Sequence, residues 1–246
     1  MDRMLYLAMT GAKHAMLAQQ TNANNLANVN TTGFRADLDS FMSVPVKGAG
    51  YDDRTYAVDT RAGSNMDAGS LIHTGRELDI AINGEGWIAV QSRNGSEAYT
   101  RRGDLQVSSL GILQTGDGLP VIGNGGPIAI PPAQKLEIGR DGTVSFVPLG
   151  QDPNTLVVLD RIKLVKPGLD QVEKSDDGLF RLTNGQIAEP DAEVGVASGT
   201  LESSNVNQVD ALVKMINYAR AFEMHMKVIS AANKNDESSA TLLRTS

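Results

Sequence analysis

Apolar and polar positions change period twice along the chain, which divides it into three parts. Near the N-terminus Leu5, Met9, Ala12, Met16, Gln19, Ala23 and Leu26 recur at alternating steps of four and three. That is the spacing of a coiled-coil seam, and Gln19 is its one polar member. Asp2 suits an N-cap or first-turn acid. The pattern dissolves into Asn28-Val29-Asn30-Thr31-Thr32-Gly33, residue types that favour turns and left-handed backbone. It predicts a helix over Arg3–Asn28, roughly 40 Å long at ~1.5 Å per residue. A helix of that length is not easily wrapped into a small globule.

The far end holds a counterpart. Ser203-Ser204-Asn205 offers capping side chains, and Val209, Leu212, Val213, Ile216, Ala219, Phe222, Met226 and Ile229 follow at helical spacing, with Lys214, Asn217, Arg220 and Glu223 on the other face. An apolar stripe ordinarily packs on its own domain's core. Here two long stripes occupy opposite ends of the sequence, and the region between them has another period. The simplest expectation is that the ends pack on each other. A two-helix pair buries one stripe per helix and leaves its flanks for neighbouring molecules to cover.

Between about Thr74 and Leu201 the period is that of short strands. Leu78, Ile80 and Ile82 alternate with Asp79, Ala81 and Asn83, predicting a half-buried strand. Asn83-Gly84-Glu85-Gly86 is expected to turn the chain as a hairpin, with Trp87 to Gln91 returning and Asn94-Gly95 marking the next turn. Short apolar runs continue to Leu179–Leu182, separated by Gly turns, and predict an all-β barrel or sandwich. Residues 43–72 follow neither period clearly and read as an extended connector. The fold class expected is mainly β with two long terminal α-helices paired as a coiled-coil-like stalk. The domains expected are a helical one from 1–34 and 203–246, a connector over 35–73, and a β-rich centre over 74–202.

Composition removes several functions. The formal charge of −7, with no basic run longer than Arg101-Arg102, argues against nucleic-acid binding. No apolar run is long enough to span a membrane, and the N-terminus lacks the unbroken apolar segment of a secretory signal. The chain has no cysteine, so disulfides and thiolate metal sites are excluded. Aromatics, at 4%, leave Leu, Ile, Val, Ala and Met to build the core.

Catalytic motifs fail one by one. Gly84-Glu85-Gly86-Trp87-Ile88-Ala89 fits a dinucleotide fingerprint, but that fingerprint must open a helix, and Trp87-Ile88-Ala89-Val90 reads as a strand. The three histidines, His14, His73 and His225, have no metal-ligand spacing. Asp52-Asp53 and Asp176-Asp177 form no calcium loop. No nucleophile elbow or Walker lysine occurs. No cofactor, metal or catalytic residue is expected.

One stretch carries a family resemblance. Asn24-Asn25-Leu26-Ala27-Asn28-Val29-Asn30-Thr31-Thr32-Gly33-Phe34-Arg35 resembles the N-terminal signature of bacterial flagellar rod and hook proteins, with Asn24, Asn25, Leu26, Ala27, Asn28, Thr31, Gly33, Phe34 and Arg35 at its fixed positions. Ser204-Asn205-Val206-Asn207, Met215-Ile216, Arg220-Ala221-Phe222-Glu223, Lys227 and Ile229 resemble the family's C-terminal motif, with Phe222 where Tyr is commoner. Leu78 to Trp87 and Tyr99-Thr100-Arg101-Arg102-Gly103 resemble its β-domain, with Asp104-Leu105 where Ser-Phe is usual.

The resemblance implies a structural subunit of the proximal rod of the flagellar basal body, with a distal-rod member as the alternative. It implies terminal helices in an inner tube, β-domains outside, and a periplasmic location reached through the flagellar type III export apparatus without a cleavable signal. The implied partners are other rod proteins, proximal and distal, with no nucleic acid and no membrane insertion. On this reading the two stripes bury against each other and against adjoining subunits after export, so the ends of a lone monomer are expected to be largely disordered. A carbohydrate-binding β-domain with helical tails is the alternative from another class. It would need an exposed aromatic platform, whereas Trp87 begins a strand and only five Tyr and five Phe are present.

Overall fold

The computed structural model describes residues 2–45, 55–152 and 155–244. Asp52-Asp53 lies outside them. The chain divides into two compact units. One comprises residues 1–28, 37–63 and 206–246, and the other residues 29–36 and 64–205.

The first unit is a helix pair with a small sheet. Helix α1 spans Asp2–Ala27 and α2 spans Gln208–Arg244. Residues along α1 advance as those along α2 recede: Asn22 Nδ2 donates to the Ala211 carbonyl at 2.7 Å, while Gly11 lies against His225, so the pair is antiparallel. The helix α2 is capped by Asn207, whose Oδ1 accepts from the amides of Val209 and Asp210 at 3.0 and 3.2 Å. The capping expected of Ser203-Ser204-Asn205 is therefore displaced, because Asn205 is engaged elsewhere. Strands Asp37–Pro45 and Thr55–Ser64 form a two-stranded sheet in the stretch expected to be a connector.

The second unit is antiparallel β throughout its named pairings. Its largest sheet has five strands in the order Leu164–Val165, Trp87–Gln91, Glu97–Thr100, Phe180–Leu182, Val172–Lys174. A separate three-stranded sheet places Thr143–Pro148 between Ala133–Ile138 and Val157–Arg161. Two-stranded ladders join Ile80–Asn83 to Gly195–Ser198, Leu71–His73 to Thr200–Glu202, and Leu105–Val107 to Leu113–Thr115. The described strands form no closed barrel: they make several small sheets linked by isolated bridges.

Alternation along Trp87–Gln91 explains the core. Ile88 and Val90 join a large aliphatic cluster with Ile80, Ile82, Leu105, Leu113 and Val121, while Trp87 and Ala89 face a second cluster with Tyr99, Val165 and Phe180. Trp87 and Phe180 stack with centroids 4.3 Å apart. A strand covered on both faces shows no polar alternation. Ile80–Asn83 behaves likewise: Ile80, Ala81 and Ile82 are all buried, where half-burial was expected.

The Asn83–Gly86 turn is not a hairpin. Ile80–Asn83 pairs with Gly195–Ser198 and Trp87–Gln91 with Glu97–Thr100, so the glycines carry the chain between two sheets. Gly84 and Gly86 have φ of +87° and +141°, values that favour glycine. The fingerprint's Ala89 lies mid-strand, with no helix to receive a phosphate.

Candidate functional site

The helix pair buries small residues on one side. Among the residues of α1 whose burial is described, Ala8, Ala12, Ala15, Ala18 and Asn22 are buried. A Cβ placed on Gly11 would fall 2.3 Å from Cε1 of His225, so the imidazole occupies the space that a side chain would need. From α2 the inward positions are Ala211, Met215, Tyr218, Phe222, His225, Ile229 and Ala232, again stepping by four and three. Small side chains on α1 receive larger ones from α2.

The stripes expected from sequence sit differently. On α1, Ala12 is buried and Leu5 and Leu26 are half-buried, but Met9, Met16 and Ala23 are exposed, Met16 to 63%. On α2, Ala219, Phe222 and Ile229 are half-buried, whereas Val209, Leu212, Val213, Ile216 and Met226 are exposed, Val209 to 70%. The stripes are expected to bury against each other and against adjoining subunits; in the single chain most of their large apolar side chains face away from the seam. Tyr6, Leu7 and Met224 extend these outer faces. His225, read as a solvated or satisfied histidine, lies against α1.

The signature residues take two roles. Within the first unit, Asn25 clamps the first strand through both ends of its amide: Nδ2 donates to the Asp37 carbonyl and Oδ1 accepts from the Asp37 amide, each at 2.8 Å. Thr21 Oγ1 donates to Asp39 Oδ1 at 2.7 Å. Asn28 closes the helix end, its Nδ2 donating to Asn24 Oδ1 at 2.7 Å. Asn24 and Ala27 are exposed.

Within the second unit, residues 29–36 thread between the β-strands. Gly33, at φ +67°, passes so close to the Arg101 and Arg102 backbone that a Cβ would lie 2.4 Å from the Arg101 carbonyl carbon. Its amide donates to the Glu202 carbonyl at 2.8 Å. The Phe34 amide donates to the Thr31 carbonyl at 3.3 Å, and Lys174 Nζ sits 4.0 Å from the Phe34 ring centroid while donating to the Arg35 carbonyl at 2.9 Å. Asn205 closes the other side: its Oδ1 accepts from the Ala36 amide, and its Nδ2 donates to the Asn65 and Asp67 carbonyls. Asp104 accepts from Thr32 Oγ1 at 3.2 Å and pairs with Arg102 through both oxygens at 2.7 and 2.9 Å.

At the centre is a buried charge network. Arg35 and Glu202 are 1% and 2% exposed, with Arg35 Nη1 2.6 Å from Glu202 Oε1. Arg101 Nη1 donates to Glu202 Oε2 at 3.2 Å, and its Nη2 donates to the Gly84 carbonyl at 2.9 Å. The Gly69 amide donates to Glu202 Oε1 at 2.9 Å. Burial lowers the pKa of Arg101 from its ordinary value; the Glu202 carboxylate opposes that and the Arg35 charge adds to it. Sequence reasoning missed Glu202 altogether. The available signal was an arginine fixed at the end of an otherwise apolar and amide-rich signature, which needs an acid somewhere in the fold.

No group of three or more His, Cys, Asp or Glu able to hold a metal occurs among the described residues, and no described helix is long and apolar enough to cross a membrane. A helix pair with exposed apolar outer faces, in a chain whose β unit encloses residues 29–36, defines an assembly protein of the axial kind. Residues 5–35 match the family "Flagella basal body rod protein", residues 81–146 the "Flagellar hook protein FlgE/F/G D1 domain", and residues 197–242 the "Flagellar basal body rod FlgEFG protein C-terminal". The chain belongs to the flagellar basal-body rod family, as a structural subunit of the flagellar basal body.

Within that family it is FlgF-like. It is 43% identical to the flagellar basal-body rod protein FlgF of Salmonella typhimurium over 252 residues, covering 100% of both chains. It is 44% identical to the FlgF of Escherichia coli, covering 96% of each. Against the flagellar basal-body rod protein FlgG of Bacillus subtilis the identity is 33%, over 95% of this chain and 96% of that one.

Proposed function

We propose that the chain is a segment of the proximal rod, polymerising through its terminal helices into the axle that transmits torque. The terminal helices make the subunit-to-subunit contacts of that axle. Neighbouring rod subunits cover the outer faces of α1 and α2, and delivery is by the flagellar type III apparatus to the periplasm. The observation that carries this reading is the exposure of Met9, Met16, Val209, Val213 and Ile216 on helices whose inner faces are already paired. Monomeric proteins rarely leave contiguous apolar surface of this kind uncovered. Contacts between unlike faces of successive copies build open helical arrays, as a rod requires. The greater identity to FlgF than to FlgG relatives favours the proximal over the distal position.

On this reading the lone monomer holds its helices weakly, and they gain order on incorporation. The test replaces Val213 and Ile216 with Glu in the cell. The purified variant keeps the monomer's thermal transition, because both side chains already meet water, but rod assembly and swimming are lost. Normal rods and motility in that variant would refute the proposal.

A further inference from the structure

We infer that the Arg35–Glu202–Arg101 network is a conditional latch: residues 29–36 dock into the β unit only once Glu202 has joined it. The inference does not depend on the chain being a rod subunit.

Glu202 supplies the one acid among these three buried charges. Its carboxylate meets Arg35, Arg101 and the Gly69 amide, and its backbone carbonyl meets the Gly33 amide. The balance is uneven, with two guanidinium groups against one carboxylate. Arg35 makes the least of its position. None of its three side-chain nitrogens donates a hydrogen bond, although Nη1 approaches Glu202 as an ion pair. A buried guanidinium so poorly satisfied is tolerated only while the opposing charge is present. Without Glu202, Arg35 and Arg101 would both lack a buried counter-charge, and the signature segment would gain by returning Arg35 to water.

The geometry makes the condition non-local. Arg35 and Glu202 are 167 residues apart in the chain. Each is set by a different neighbour: Gly33 wedges against the Arg101 backbone, and Leu71–His73 pairs with Thr200–Glu202. Leu201 and Glu202 thus arrive as part of a strand, and the latch closes when that ladder forms. The five-stranded sheet needs none of these groups for its own pairings.

Pulsed hydrogen exchange during refolding of the full chain tests this. The expected order is protection of Trp87–Gln91 and Glu97–Thr100 first, then simultaneous protection of Gly33, Gly69 and the Thr200–Glu202 ladder. Protection of Gly33 as early as the sheet would overturn the latch. At equilibrium, Glu202→Gln should lower protection at Gly33 and Gly69 by about a hundred-fold or more, as expected when one partner of a buried pair is removed. Adding Arg35→Met to Glu202→Gln should restore part of that protection, because it removes the uncompensated cation. A network acting only through lost contacts would worsen in the double variant, and that result would refute the inference. Should Glu202→Gln fail to fold, the refolding order of the unmodified chain decides the question by itself.

Discussion

Replacing Gly33 with alanine tests whether the signature segment is held by close backbone approach, and a second glycine provides the internal standard. Gly33 has φ +67°, and a Cβ there would meet the Arg101 carbon, the Arg101 oxygen and the Arg102 nitrogen at 2.4, 2.5 and 2.6 Å. All three are backbone atoms, so no side-chain rotation relieves the overlap. Gly118 has φ +85° with nothing within 4 Å of its Cβ position. Alanine at Gly118 therefore costs only the left-handed conformation, about 1 kcal/mol. Alanine at Gly33 bears the same conformational cost and must also move the segment. That movement breaks the 2.8 Å bond from the Gly33 amide to the Glu202 carbonyl, worth about 1 kcal/mol, and disturbs the buried ion pair beside it. The expected loss is about 3 kcal/mol or more, against about 1 kcal/mol for the control. In a chain of this size the gap corresponds to a difference in melting temperature of about 4–8 °C. Thermal unfolding of the two variants, with guanidinium titration as a check, reads it directly. If they fall within about 0.5 kcal/mol of each other, the close approach does not hold the segment and the reasoning fails.

Three further outcomes are expected. Asn207→Ala should lower the helical circular dichroism signal by weakening the start of α2, a cap worth about 1 kcal/mol, while leaving the β transition in place; Asn205→Ala should do the reverse, and equal effects would contradict the division of labour between them. Ala15→Leu should abolish incorporation into rods by overfilling the seam, whereas Met16→Leu should leave the helix pair intact; normal rods from the Ala15 variant would show that the seam is misplaced. Burial pushes the Tyr99 phenol up to about 12, and the nearby Glu97 charge adds to this, so its folded state holds the proton more tightly than the unfolded chain does. That contribution to stability is complete below about pH 10 and is lost as pH rises towards 12. Spectrophotometric titration of the folded protein should show a tyrosine step near pH 12, and Tyr99→Phe should remove that step.

The first helix was legible almost to the residue, expected over Arg3–Asn28 and found over Asp2–Ala27. An unbroken apolar period followed by Asn and Gly leaves few alternatives. Its inner face was not legible. Periodicity assigns the largest apolar side chains to the seam, but α1 turns Ala8, Gly11, Ala15 and Ala18 towards α2 and Met9 and Met16 away from it. Close helix approach selects for small volume rather than hydrophobicity, and a hydropathy pattern does not register that. The strand pattern located most of the β segments, while the partner of each strand depended on contacts far along the chain. Ile80–Asn83 finds Gly195–Ser198 rather than the strand that follows it. Arg35 stood out only as the last letter of a signature. Its meaning depended on Glu202, an unremarkable acid in a strand too short to be singled out.

The Gly11–His225 contact also fixes position along the helix axes. Sliding α2 by one heptad would bring either Tyr218 or Ala232 opposite Gly11: the phenol is too large for that hollow, and the methyl group leaves it empty. The two helices are thus keyed, like a spline in a drive shaft, and resist axial shear through shape instead of charge. Resistance of that kind is insensitive to ionic strength, so the registry of the pair should survive changes in salt that would weaken a charge-paired one.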